Sequence, residues 1–239
     1  MGTCPDAIKR LIDRFTQQSD TIRSPDYNDT LIRIDFINPL MSELGWDIDN
    51  RQGFAEQYRE VVHEDRVKVA GQTKAPDYSF RIGGSRKFFL EAKKPAVDIK
   101  NNWEPAYQLR RYAWSAKLPV SLLTDFEEMA VYDCRVQPKW EYKSSVARRD
   151  FIDYRDYPGR WDFIEGTFGK AAVLRGDRPL LRDEDRTGFR DAQSYHRHRC
   201  RIWGVPASTW PTLPHGPAAD QSPAARRPRS GRPSGRCPA

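Results

Sequence analysis

The sequence has little of what marks membrane-bound, secreted or zinc-binding proteins. No apolar run comes near the roughly 18 residues that a membrane-spanning helix needs, and residues 1–9 lack the apolar core of a signal peptide. The four cysteines form no C-x-x-C pair, and the four histidines form no metal-spaced cluster. These absences predict a cytoplasmic protein with reduced thiols, no membrane contact and no zinc site.

Motifs for ATP hydrolysis and DNA methylation are also missing. The chain has no G-x-x-x-x-G-K-[ST] phosphate loop. It has no Asn-Pro-Pro-Tyr-type adenine methylation motif, no glycine-rich cofactor loop and no segment typical of a module that reads DNA sequence. Neither a motor nor a methyltransferase is therefore predicted within these 239 residues.

Positive charge is concentrated toward the C-terminus. The net charge is +7, from 40 Lys and Arg against 33 Asp and Glu. Eleven of these cations and five of these anions lie in residues 181–239, which leaves a nearly neutral body of 29 against 28. The basic balance is therefore weak support for DNA binding by the body.

Residues 179–239 differ in composition from the rest. Pro, Arg, Gly and Ser dominate toward the end, without periodicity, and no acid follows Asp220. This composition predicts a disordered basic tail. Three interpretations stay open: an arm that grips DNA phosphates, an incidental tail, or translation out of frame.

Two N-terminal segments have the apolar spacing of helices. The first predicted stripe consists of Ile8, Leu11, Ile12 and Phe15. The second consists of Leu31, Ile34, Ile37, Met41 and Leu44. We expect Pro39 to kink the second helix and Gly45 to end it.

A predicted hairpin follows an extended, Val-rich region at 58–70. Residues 77–82 alternate between polar and apolar, Gly83-Gly84-Ser85 supplies a turn, and residues 87–93 return.

A helix over 102–117 and strands over 120–123 and 129–132 come next. This order predicts a mixed α/β fold with a central mixed sheet flanked by helices. We assign this domain to 1–145 and a helical cap or linker to 146–178. On the helix, we interpret Trp103, Tyr107 and Trp114 as core residues rather than base-stacking platforms.

The predicted hairpin brings together residues able to hydrolyse a phosphodiester. Residues two apart on a strand point the same way, so Glu91 and Lys93 share a face, and Asp77 lies across the turn. Two carboxylates and the Ala92 carbonyl are suitable ligands for Mg²⁺, or for Mn²⁺ as a substitute. The metal would activate water, and the lysine would position that water or offset charge on the phosphate.

This D…E-x-K pattern also occurs by chance, usually as a solvated charged face of a strand. Two observations favour the functional interpretation. Apolar alternation is clean on both strands, and the following helix carries Gln108 and Tyr112 one turn apart.

Taken in order, these motifs resemble the PD-(D/E)xK nuclease superfamily. The matching elements are Pro76-Asp77, the run Glu91-Ala92-Lys93-Lys94-Pro95, and a Q-x-x-x-Y helix motif from Gln108 to Tyr112. More narrowly, residues 5–175 resemble the N-terminal endonuclease domain of type I restriction R subunits and of fused type IIG restriction–modification enzymes. The resemblance implies a restriction-endonuclease-like core that cuts double-stranded DNA.

By this resemblance Asp77, Glu91 and Lys93 are the catalytic residues. Asp29 takes the place of the acid on the family's first helix, usually Glu, so a shorter side chain would reach the metal less easily. Four further residues are expected to contact DNA or support the site: Gln108, Tyr112, Arg111 and Lys94. A buried polar brace for the sheet is the alternative role for Gln108 and Tyr112.

The enzymes that the chain resembles carry a motor or a methyltransferase beyond this domain. The resemblance therefore implies a specificity or methyltransferase domain or subunit outside this chain. The chain itself is then a truncated reading frame, a lone nuclease subunit or a relic. Two alternatives to a nuclease stay open: an inactive DNA-binding or subunit-docking fragment, and a fragment of a longer fused adenine methyltransferase.

Overall fold

A six-stranded mixed sheet organises residues 3–176, the part of the chain that the computed structural model describes. The strands are β1 Val61–His63, β2 Val67–Val69, β3 Gln72–Lys74, β4 Tyr78–Ile82, β5 Ser85–Ala92, β6 Val120–Thr124, β7 Glu128–Asp133 and β8 Arg148–Asp153. The sheet order is β1-β4-β5-β6-β7-β8, and β2 and β3 form a separate ribbon. Only β5 and β6 run parallel within the sheet. The predicted mixed α/β class is confirmed.

Helices cover both faces of this sheet. They are α1 Asp6–Gln17, α2 Ser19–Ile22, α3 Asp29–Ile32, α4 Asn38–Glu43, α5 Trp103–Ser115, α6 Tyr157–Phe168 and α7 Lys170–Arg175. One apolar cluster joins α1, α3, α4, α6 and α7 to one face, and a second joins α5 and β2 to the other. Within residues 3–176, no helix is long and apolar enough to cross a membrane.

The predicted stripe of the first helix is confirmed, whereas that of the second is partly wrong. Leu31 and Ile34 are exposed. A π-helical turn at Arg33–Ile37 separates α3 from α4 and shifts the buried face, because each π bond spans one extra residue. Pro39 follows this turn and cannot donate a hydrogen bond. Gly45 ends the helix with a φ of 90°, as predicted.

The predicted hairpin is present, and its apolar face fills the larger cluster. In β4 and β5, Tyr78 pairs with Leu90 and Phe80 with Phe88. The Phe80 and Phe88 rings stack with centroids 4.4 Å apart. The turn needs glycine because both Gly83 and Gly84 have positive φ angles.

Residues 146–176 contribute a strand as well as helices, which corrects the predicted helical cap. β8 pairs with β7 at the edge of the sheet, and the Trp161 and Phe168 side chains of α6 are buried in the larger cluster. The predicted tail, 179–239, lies outside the described residues.

A buried ion cluster at Asp65 supports the hairpin. Asp65 accepts two hydrogen bonds from Arg86, at 2.7 and 2.8 Å, and pairs with Arg81 at 2.5 Å. Burial opposes ionisation of Asp65, but the two arginines outweigh burial and lower its pKa to about 2.

We expect Asp65→Asn to lower the free energy of unfolding by roughly 2 kcal/mol or more at pH 7. The folded-state pKa lies below the unfolded value, so this contribution is present above the unfolded pKa and is lost as the pH falls through the folded pKa. Urea titrations of the wild type and of Asp65→Asn at pH 7 and pH 3 check this. The difference between their free energies of unfolding should be smaller at pH 3. The exposed Asp49–Arg51 pair is the control, and Asp49→Asn should change little. An equal effect of both substitutions would contradict the prediction.

Candidate active site

Asp77 immediately precedes β4 and lies beside the end of β5. Because Tyr78 pairs with Leu90, the antiparallel register brings Asp77 next to Glu91. The Ala92 N–H donates to Asp77 Oδ2 at 2.8 Å, and Arg33 Nη1 is 3.7 Å from Oδ1. The carboxylate is thereby held in place and remains partly accessible.

Glu91 is a buried carboxylate with one oxygen left unpaired. Its Oε1 accepts from Lys93 Nζ at 2.8 Å and from Gln108 Nε2 at 2.5 Å. Its Oε2 is buried and has no hydrogen-bond partner. Burial, and then the nearby Asp77 charge, raise the pKa of Glu91. Burying a carboxylate oxygen without a partner costs folding free energy unless a cation binds to it.

Lys93 brings a cation to the same face, as predicted from its spacing. Its backbone N–H donates to the Thr124 carbonyl at 3.1 Å, which continues the parallel pairing of β5 with β6. Burial by itself would lower the pKa of Lys93, but Glu91 and Asp77 outweigh it and raise the pKa. The side chain is therefore an ammonium group held against the two acids.

Gln108 and Tyr112 approach Glu91 from α5. Gln108 donates directly to the acid, and Tyr112 is buried beside it. Burial, followed by the Glu91 charge, raises the pKa of Tyr112, and a hydrogen bond with Gln108 acts in the opposite direction. This placement favours support of the site by both residues over direct contact with DNA.

Asp29 and Lys94 join the N-terminal helices to the exit of β5. The Lys94 N–H donates to Asp29 Oδ1 at 2.6 Å, and its ammonium donates to the Pro25 carbonyl at 3.1 Å. The negative charge of Asp29 also helps to raise the pKa of Lys93. The remaining predicted residue, Arg111, lies 5.8 Å from the Tyr107 ring and away from the acids' hydrogen bonds.

Arg33 is a site residue that the sequence interpretation missed. Besides facing Asp77, it donates to the Tyr78 hydroxyl at 3.2 Å, and Tyr78 donates to Asn38 Oδ1 at 2.7 Å. The available signal was its position four residues after Asp29, which places both on one side of a helix.

The site has two carboxylates that could bind a metal ion, fewer than the three or more ligating side chains of a complete protein metal site. Within residues 3–176, no group of three or more His, Cys, Asp and Glu side chains could hold a metal ion. Asp77, Glu91 and the Ala92 carbonyl nevertheless supply hard oxygen ligands, and Mg²⁺ commonly takes only one or two carboxylates besides water and substrate. The unpaired Glu91 oxygen fits such an ion.

The two acids of the candidate site lie at one end of the β4–β5 hairpin, within the six-stranded mixed sheet. Residues 59–140 match the family model described as "Type I restriction enzyme R protein N terminus". The chain is also 43% identical, over 173 residues, to "Type II restriction enzyme and methyltransferase RM.Eco57I" from Escherichia coli. That match covers 72% of this chain but 17% of the relative, so the chain spans about a sixth of its length. No solved structure matches the chain.

Proposed function

We propose that this chain is a metal-dependent endonuclease of the PD-(D/E)xK type that acts on double-stranded DNA within a restriction–modification system. The observation that carries the proposal is the pairing of Asp77 with a buried Glu91 that keeps one oxygen unpaired. The family match and the restriction-enzyme relative support the same class.

Asp77, Glu91 and the Ala92 carbonyl would hold Mg²⁺ or Mn²⁺. When bound, the ion supplies Lewis-acid polarisation of the phosphate and a lower pKa for water. Gln108 fixes the Glu91 carboxylate, and Arg33 helps to orient Asp77. Lys93 places a positive charge beside the acids, where it can orient water and offset charge that develops on the phosphate.

In this proposal the partner is a methyltransferase or specificity module. The relative is named as a combined restriction enzyme and methyltransferase, and the chain covers only 17% of it. Such a module would supply target recognition, while the described domain supplies cutting.

A second candidate function is an inactive DNA-binding or docking domain. It is favoured by the short acid Asp29, whose Oδ1 is taken by the Lys94 backbone. It is also favoured by the limited number of acids at the site. Metal binding that depends on Asp77 distinguishes the two candidates.

Cleavage of supercoiled plasmid tests the proposal. We expect the purified chain to nick the plasmid with Mg²⁺ or Mn²⁺ and to leave it intact with EDTA. A Lys93→Ala protein, purified in parallel, controls for contaminating nucleases. If a folded protein cuts with neither metal, and calorimetry detects no Mn²⁺ binding that Asp77→Asn removes, the inactive candidate replaces the nuclease.

A further inference from the structure

A cleft of about 560 Å³ opens beside the start of α5, away from the two acids. One wall is the Lys100–Trp103 segment, and the other is the connection between β7 and β8. Its lining includes three aromatic and three basic side chains: Trp103, Trp140, Tyr142, Lys100, Lys143 and Arg148. The volume falls within the range of roughly 300–1,000 Å³ that is usual for small-ligand pockets.

Two tryptophans present their rings to solvent at this cleft. Trp140 is 69% exposed and Trp103 is 42% exposed. The expectation that Trp103 and Trp114 belong to the core is therefore wrong, because both are exposed. The α5 helix packs on the sheet through Ala106, Leu109 and Ala113 instead. Large exposed aromatic surfaces in a concave site mark binding surfaces.

The charge of the lining selects an anionic ligand. Three cations face the cleft against one acid, Glu141. Lys100 and Arg148 both lie over the Phe151 ring, at 5.5 and 4.7 Å. A cationic ligand would be repelled, whereas a phosphate would be attracted.

Internal hydrogen bonds shape the walls without any ligand. The Lys100 carbonyl accepts from Ser144 Oγ at 2.5 Å and from Arg148 Nη1 at 2.8 Å. Buried Arg110 donates to the Val136 carbonyl and lies 6.0 Å from the Tyr142 ring. Arg110 therefore supports the cleft wall from inside the protein.

Aromatic and basic side chains along α5 connect the cleft to the candidate active site. The Trp103 ring lies 5.9 Å from Tyr107, and Arg111 lies over Tyr107 at 5.8 Å. Gln108, which holds Glu91, is five residues after Trp103, or about 7–8 Å along a helix. The cleft and the candidate active site therefore share α5, with about one and a half helical turns between Trp103 and Gln108.

We propose that this cleft binds unpaired nucleobases of DNA next to the cleavage site. Bases stack on Trp140 and Trp103, and Lys100, Lys143 and Arg148 pair with the flanking phosphates. Exposed rings bind unpaired bases rather than duplex because duplex bases already stack on each other. The inference rests on the proposed function only in taking DNA as the substrate.

Fluorescence anisotropy of the full chain tests the cleft. The probe is a labelled oligothymidylate of about 12 nucleotides, compared with a labelled duplex, in EDTA so that nothing is cut. We expect Trp140→Ala to weaken single-strand binding about tenfold and duplex binding much less. Trp140→Phe should restore most of the affinity. The control is Trp114→Ala, at a tryptophan of α5 that is 40% exposed and lies outside the cleft lining, and this variant should bind as the wild type does.

The salt dependence provides an independent readout. Lys143→Ala should lower the slope of log affinity against log salt for the single strand by about 0.7, as expected for one lost phosphate contact. Because Trp140 and Lys143 are exposed, both variants should keep the wild-type circular dichroism spectrum.

These experiments test the cleft proposal and the nuclease proposal independently. Trp140-dependent binding by a protein that cannot nick plasmid would support the cleft and contradict the nuclease. If the protein nicks plasmid but does not bind the single strand, or binds it equally well after Trp140→Ala, the cleft proposal is overturned and the nuclease proposal stands. In that case the exposed aromatic surface would be assigned to contact with another protein segment.

Discussion

The Lys93→Ala protein is expected to cut DNA at least 100-fold more slowly than the wild type, because removing a positioned charge or proton donor usually costs 10²–10⁴ in rate. Lys93 Nζ lies 2.8 Å from Glu91 Oε1 and is largely shielded from solvent. Water cannot replace a shielded ammonium in position or charge. Since the two acids remain, Mn²⁺ affinity should persist, and the loss should fall on the cleavage rate.

The measurement is single-turnover cleavage with Mn²⁺ affinity determined in parallel. Lys68→Ala makes the same change in net charge on the exposed face of β2, outside the site, and should cut normally. If Lys93→Ala and Lys68→Ala cut equally well, Lys93 has no part in the reaction.

Glu91→Gln is expected to abolish cleavage while leaving the metal-free protein as stable as the wild type, or more stable. The substitution removes a buried charge, which burial and Asp77 destabilise by more than the Lys93 contact stabilises it. It keeps an oxygen able to accept from Gln108. A metal-binding side chain that is unfavourable for folding but required for activity is typical of a functional site.

Urea unfolding in EDTA and in Mn²⁺ provides the readout. The pKa of Glu91 is higher in the folded protein than in the unfolded chain. The charged carboxylate therefore lowers the free energy of unfolding at pH 8, and the wild type should regain this stability as the pH falls. Glu91→Gln should lack this part of the pH dependence, and only the wild type should be stabilised by Mn²⁺. A marked loss of stability in EDTA would show that Glu91 has a structural role instead.

The hairpin was predictable because its information is local. Strict alternation around Phe80 and a Gly-Gly turn set the register of the hairpin, which pairs Phe80 with Phe88 and places Asp77 beside Glu91. The orientation of α5 was harder to predict. Helical spacing separates the Trp103 and Trp114 face from the Leu109 and Ala113 face, but does not say which face the sheet covers.

Other features depended on distant parts of the chain. β8 is an edge strand of mostly charged residues, Arg148–Asp153, and is recognised only by its pairing with β7. Helical spacing places Arg33 on the same side as Asp29, but its contact with Asp77 depends on how the N-terminal helices pack against β4. The positions of the acids followed from local pattern, whereas their neighbours were set by tertiary packing.

The contact between α6 and the hairpin has a consequence for how the protein is made. Trp46 Nε1 donates to the Phe168 carbonyl at 2.7 Å, and the Phe168 ring lies 5.1 Å from Phe88. A ribosome releases the chain from its N-terminus, so the hairpin emerges long before the helix that covers its apolar side. Until Phe168 emerges, the newly made hairpin exposes an aromatic surface that favours aggregation. The nascent chain is therefore expected to complete the candidate active site late, after almost all of residues 3–176 have left the ribosome.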